Sequence, residues 1–243
     1  MPKLEPYDRA LPYSYALGIF PAMECLSHAK DCCLRLLISS ESQEREGISR
    51  LVREAEDAGI RVEAADRMLS RLAKKGNCYA AMVYRKRGSA LQTDTRHLVL
   101  HHPSDAGNLG TIFRAALGFG YRDVAIIRPA VDPDDPHVVR ASMGACFSLR
   151  IASFDAFEDY RSMYTEHRLF PFMLTGSVPL DQAVQSCSER HALIMGNEAT
   201  GLPAAFSSLG TAVRIPHSDA IDSLNLGVAA SIGMYAFSTR KGE

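Results

Sequence analysis

From residue 97 onward the chain repeats one pattern: a short apolar run suited to a strand, then a stretch with helical spacing. The strand-like runs are HLVLHH, DVAIIRP, LFPFMLTG, HALIMGN and AVRIP; LGTIFRAALGFG, SFDAFEDYRSMY and LNLGVAASIGMYAF read as helical. Alternation of this kind predicts a mostly parallel α/β sheet with helices on its faces. Ligands bind such sheets outside the carboxyl ends of the strands. Three of those ends carry clusters of glycine and polar residues, HHPSDAGNLG, MGNEATGLP and IPHSDAIDSLN, which are expected to meet at one place. The third leads into the most apolar helix of the chain, from about Leu226 to Phe237, with Asp222, Ser223 and Asn225 just before it. An acid or hydroxyl there either caps the helix or serves a site.

Ahead of this region a smaller α/β unit is expected over residues 15–86. Ile48, Leu51, Val52, Ala55 and Ala58 fall at helical spacing, with Gly59 as the stop signal. LRLLIS, IRVEAA and CYAAMVY read as strands around that helix. RKRGSALQTDT, polar and aperiodic, reads as a linker, so the division expected is a small domain over 1–90 and a larger one over 91–243. A chain of 243 residues with 47% hydrophobic content can build both cores. No basic segment followed by an apolar one opens the chain, and no run approaches the roughly 20 apolar residues of a spanning helix, so a cytoplasmic protein is expected. The six cysteines show no paired spacing, which points to reduced thiols rather than a disulfide framework or a zinc site.

Charge is unevenly spread. Residues 1–95 hold 15 basic and 13 acidic side chains, whereas 96–243 hold 12 and 15. Seven basic residues between Arg67 and Thr93 (Arg67, Arg71, Lys74, Lys75, Arg85, Lys86 and Arg87) are interrupted by no acid and interleaved with Tyr79 and Tyr84. Such a stretch either contacts phosphates and stacks on bases or forms a plain solvated face. Elsewhere several common chemistries drop out. GNLGTIFRAALGFG lacks the lysine of a phosphate loop, no dinucleotide fingerprint follows the first strand, and neither a G-x-S-x-G elbow nor metal-binding histidine spacing occurs. His101, His102, His137 and His217 read as structural or surface residues.

Taken in order, NLGTIFRAALGFG (108–120), LIMGNEATGLP (193–203) and IPHSDAIDSLNLGVAA (215–230) resemble the three motifs of the SpoU branch, also called TrmH-like, of the SPOUT class of RNA ribose methyltransferases. VVRASMGACF (138–147) resembles the stretch this family carries between its first and second motifs. The likeness spans residues 96–240, and residues 15–86, headed by YALGIFPAMECL, resemble the ribosomal-protein-like substrate-binding domain of many members.

The resemblance implies methyl transfer from S-adenosylmethionine to a ribose 2'-hydroxyl, with no metal, by a homodimer whose catalytic domain holds a deep trefoil knot. It assigns the catalytic roles to Asn108, Arg114, Glu198, Ser223 and Asn225. Arg114 is the family's hydroxyl activator, though a guanidinium with a pKa above about 12 fits positioning better than proton acceptance. Asn108 either caps its helix or helps place Arg114 and the ribose, and Glu198 holds Arg114 or an RNA hydroxyl. The cofactor falls to Leu174, Thr175, Gly176, Met195, Gly196, Ile215, Ser223 and Leu224, with apolar members walling the adenine. Ribosomal RNA is the expected target because of the added N-terminal domain, with transfer RNA, or a silent RNA-binding module, as alternatives. The chain departs from the family pattern at Ala199, where glycine is usual and a methyl is tolerated if φ is negative. It departs again at His217, where methionine is common, in the missing glycine near Asp219, and in KKGNCYAAMV, where many relatives carry a histidine-glutamine-glycine stretch.

Overall fold

The structure, a computed structural model, describes residues 4–42, 45–73 and 78–239. Two compact units emerge, one of residues 1–87 with 132–148, the other of 88–131 with 149–243. The first contains β1 (Tyr13–Leu17), α1 (Ile19–His28), β2 (Cys33–Ile38), α2 (Glu46–Asp57), β3 (Arg61–Ala64), α3 (Asp66–Ala73) and β4 (Ala80–Arg85). Its sheet runs β1-β4-β2-β3, antiparallel except for the parallel β2/β3 pair. Tyr15, Leu37, Leu69, Leu72 and Val83 form a core between sheet and helix. The expected helix and its glycine stop are present, Gly59 having a φ of +72°.

The basic stretch in this unit does not form one free surface. Tyr84 is buried, its ring edge-on to Phe147 at 4.9 Å and its hydroxyl donating to Asp134 at 2.9 Å, so it is no base-stacking platform. Lys86 pairs with Asp132 at 2.8 Å, Arg87 donates to the carbonyl of Phe147, and Arg45 lies over the Tyr79 ring. Arg67, Arg71 and Arg85 are exposed, whereas Lys74 and Lys75, with the rest of Lys74–Asn77, lie outside the described residues. None of the six cysteines is in a disulfide.

The second unit begins with β5 (His97–His101), α4 (Ala106–Gly118) and β6 (Asp123–Ile127). The chain then contributes 132–148, with α5 (Pro136–Ala141), to the first unit. The sequence placed this segment with the rest of 91–243; burial of Val138, Val139, Cys146 and Phe147 and the two aspartate contacts above tie it to β1 and β4 instead. The second unit resumes with β7 (Arg150–Phe154), α6 (Phe157–Met163), β8 (Arg168–Pro171), β9 (Val178–Pro179), α7 (Leu180–Gln185), β10 (His191–Met195), β11 (Val213–Arg214) and α8 (Leu226–Ser238).

Five strands form the main sheet in the order β7-β6-β5-β10-β8, every neighbouring pair parallel. β5, β6 and β10 are buried at every position, which is why they read as near-continuous apolar runs. β7 is not among the strand-like runs, and its last two residues open the helical-reading SFDAFEDYRSMY; at the sheet edge, only Phe154 of its five residues is buried. AVRIP contributes two residues to a separate two-stranded sheet with β9. The winding starts at β5, proceeds to β6 and β7, then returns through β8 to place β10 against β5. The strand order therefore reverses between β5 and β10, where the carboxyl ends open a crevice. Among the described residues no helix is long and apolar enough to cross a membrane.

Candidate functional site

Three segments far apart in sequence meet at that crevice through one hydrogen-bonded chain. Asn225 is the N-cap of α8, its Oδ1 accepting from the backbone N–H groups of Gly227 (2.9 Å) and Val228 (3.3 Å). With the oxygen committed to the helix, the Nδ2 of Asn225 is left to donate to Asn108 Oδ1 at 3.0 Å. Asn108 Nδ2 in turn donates to Glu198 Oε1 at 3.3 Å. The orientation of each amide thus follows from the helix cap at one end and the carboxylate at the other.

Glu198 is further held by the loop after β5: Ser104 donates to Oε2 through its hydroxyl (2.7 Å) and backbone N–H (3.1 Å), and Asp105 N–H donates to Oε1 (3.2 Å). Partial burial works to raise the pKa of this carboxyl, but the donors of Ser104 and Asp105 outweigh burial and hold it below the usual glutamate range. It is ionised at neutral pH. The loop presenting it folds back tightly, Asn197 and Gly201 bridging as an antiparallel pair. A Cβ on Gly196 would lie 2.3 Å from the backbone of Gly201, and Gly201 has a φ of +66°, so both positions require glycine. Asn197 secures the turn, its Oδ1 accepting from Ala199 N–H and its Nδ2 donating to the carbonyl of His102. Ala199 is not among the residues with positive φ, so its methyl is accommodated.

Beside Glu198 lies a cleft of about 420 Å³, within the usual range of roughly 300–1,000 Å³ for small-molecule sites. Leu174 and Thr175 after β8, Met195 and Gly196 at the end of β10, and Ile215, Ser223 and Leu224 after β11 all line it. Gly176 does not; its φ of +65° serves a turn instead. His217, which also lines the cleft, directs Nδ1 to the carbonyl of Ile215 at 3.0 Å.

Several sequence readings change. Asn108 does not cap α4; Asp105 does, accepting from the backbone N–H of Asn108 at 2.7 Å, which frees the Asn108 side chain for the chain of amides. Neither Asp222 nor Ser223 caps α8, since Asn225 holds that position. Glu198 holds no ion pair with Arg114, which is exposed on α4 and whose side chain makes no hydrogen bond or ion pair to a described residue. Ser104, Asp105 and Asn197 were missed as parts of the site. The signal for Asp105 was present, an acid three residues ahead of Asn108 at the start of a helical run.

The model of the SpoU rRNA Methylase family matches residues 95–235. An uncharacterized tRNA/rRNA methyltransferase of Synechocystis sp. is 32% identical over 144 residues, 57% of this chain and 51% of that protein. The 23S rRNA (uridine(2479)-2'-O)-methyltransferase of Streptomyces viridochromogenes is 30% identical over 156 residues, covering 60% and 53%. The chain spans about half the length of the curated relatives it matches. Among solved structures, the AdoMet-bound rRNA methyltransferase from Sinorhizobium meliloti superposes with a TM-score of 0.77 over 93% of this chain and 87% of that one, at 24% identity, a likeness of fold.

Proposed function

The chain belongs to the SpoU rRNA Methylase family, and on that premise we propose that it is an S-adenosylmethionine-dependent methyltransferase acting on a ribose 2'-hydroxyl. The target is ribosomal rather than transfer RNA, and the protein acts in the cytoplasm as a homodimer. The observation that carries this reading is the chain Glu198–Asn108–Asn225, drawn from three separate segments and standing at the switch point beside the cleft. The name of the Streptomyces viridochromogenes relative, a 23S rRNA 2'-O-methyltransferase, supports both the reaction and the RNA class. Within the expected division at residue 90, residues 91–131 and 149–243 serve as the methyltransferase domain and 1–90, joined by 132–148, as the RNA-binding one, with Arg67, Arg71 and Arg85 as exposed phosphate contacts.

The cleft fits the cofactor. Its apolar wall, including Leu174, Met195, Ile215 and Leu224, suits an adenine, and Gly196 lets backbone approach closely. When bound, S-adenosylmethionine supplies a methyl group on a sulfonium, which needs in-line approach by the nucleophile and no metal. The protein's part is positioning. Asn108 and Glu198 fix the start of α4, the helix that carries Arg114, and Arg114 holds the ribose hydroxyl and its neighbouring phosphate with its fork of donors. Ser223, exposed at the rim of the cleft, offers a hydroxyl to the ribose. Glu198 is saturated by the loop after β5 and by Asn108, so it acts as an anchor and not as the proton acceptor.

Two further elements belong to this reading. α8 is mostly apolar, and Val228 and Tyr235 remain about half exposed on it (48% and 56%). A second copy of the chain covers that face in the dimer. The C-terminal segment is threaded as a trefoil knot, in keeping with the tight passage of Gly210 past the carbonyl of Leu169, where a Cβ would lie at 2.2 Å. Calorimetric titration with S-adenosylmethionine and its demethylated product tests the proposal. Micromolar binding, followed by loss of a 2'-O-methyl mark in ribosomal RNA of a strain lacking the gene, is expected. A folded dimer that binds neither compound would make the protein an RNA-binding module without chemistry.

A further inference from the structure

One cation on the cleft has no part in the chemistry above. Arg214 lies on β11, whose backbone is fixed by pairing with β9 (Arg214↔Pro179), by the Met173 N–H donating to the carbonyl of Val213 at 2.8 Å, and by burial of the Val213 side chain. Arg214 is exposed and is one of the residues that line the cleft, and its side chain makes no hydrogen bond or ion pair to a described residue. The other fully charged side chain on the cleft, Glu198, has both oxygens engaged by donors of the loop after β5 and of α4. His217 turns one ring nitrogen back to the Ile215 carbonyl. The cleft is thus apolar along its wall, closed at its carboxylate, and open at one guanidinium.

A free guanidinium fork beside an apolar wall is matched by a ligand that joins a flat apolar group to a carboxylate. We infer that Arg214 binds the α-carboxylate of the methionine half of the cofactor and sets the position of the sulfonium along the cleft. This rests on the cofactor reading proposed above. It assigns Arg214 a binding and positioning role with no proton transfer. The pairing adds affinity for every ligand carrying that carboxylate, S-adenosylhomocysteine included, and none for 5'-methylthioadenosine, which has the same adenosine and sulfur but no carboxylate.

The test is calorimetric titration of the full chain and of Arg214→Gln with S-adenosylhomocysteine and with 5'-methylthioadenosine. The variant is expected to bind S-adenosylhomocysteine about 10- to 100-fold more weakly, as for loss of one charge-assisted pair. Its affinity for 5'-methylthioadenosine should stay within about twofold, which also shows that the cleft is intact. Equal losses for both ligands would overturn the inference and make Arg214 a structural residue. Undiminished S-adenosylhomocysteine binding with weakened RNA binding would overturn it too, and would assign the guanidinium to RNA phosphate. If the unmodified chain binds neither ligand, the cofactor reading itself fails and takes this inference with it, an outcome distinct from the other two.

Discussion

The two ends of the five-stranded sheet use polar residues in opposite ways. At the amino ends, Asp123 is fully buried and accepts from Arg150 through Nε and Nη2 (2.6 Å each), from the Gln92 N–H (2.9 Å) and from the Thr95 hydroxyl (2.7 Å). His97 is held between the Tyr160 hydroxyl and the Gln92 carbonyl, and His191 between the Tyr121 hydroxyl and the Ser188 carbonyl. At the carboxyl ends, Asn225 and Ser223 are exposed, and the satisfied groups Glu198 and Asn108 stand beside an open cleft. Saturation at the first end holds strands together. At the second it fixes a few groups in place so that others, Ser223 and Arg214, face outward with capacity to spare. Parallel sheets favour this division because the crevice opens where strand order reverses, at the carboxyl side.

The largest effect that would break this contrast is on catalysis. Arg114→Ala should lower methyl transfer by about a thousandfold or more, roughly 4 kcal/mol, while changing cofactor affinity by less than about twofold. Equal loss of both in single-turnover and binding measurements would remove Arg114 from the chemistry. At the other end, Asp123→Ala should cost about 1–3 kcal/mol of stability, because it removes the buried acceptor shared by Arg150, Gln92 and Thr95. Transfer per folded molecule should be unchanged, and denaturant midpoints together with rates below the transition would show whether the two ends are separable.

A pH dependence belongs to the amino ends. Burial pushes His97 and His191 down to about 4, so the folded state favours their neutral forms. Their contribution is complete above the ordinary histidine value of about 6.5 and is lost as pH falls from there toward 4. A stability loss of roughly 1–2 kcal/mol per histidine between pH 6.5 and 5 is expected, and a His97→Gln, His191→Gln double variant should flatten that slope. An unchanged slope would show that the histidines are not what the amino ends protect. The smallest effect is on the cap: Asn225→Ala should cost about 1–2 kcal/mol of stability. Because it also releases Asn108 it should slow transfer, and Asn225→Asp should restore the cap while still impairing transfer, since its second oxygen cannot donate to Asn108 Oδ1.

Much of this was legible in the chain. The buried strands β5, β6 and β10 announced themselves as apolar runs because both their faces are covered, and the glycine and polar clusters marked the strand ends that carry the crevice. Seven of the eight residues expected at the cofactor line the cleft, since they follow strand ends that converge. Edge strand β7 was hidden because a half-exposed strand lacks that run, and the partners of Glu198 were hidden because Ser104 and Asp105 sit 94 and 93 residues away.

What sequence alone determined is therefore local: which segments are strands or helices, where glycine permits a tight turn, and which side chains have the chemistry for a site. Tertiary structure decided the assignments that depend on distance. It made Asn225 a cap, turned Asn108 toward Glu198 rather than into a cap of its own, and left Glu198 without Arg114. It also moved residues 132–148 into the first unit. The physical reason is that periodicity and capping act over one or two turns, whereas a hydrogen-bond acceptor has only a few places to be filled. Which donors fill them depends on what folding brings within about 3 Å.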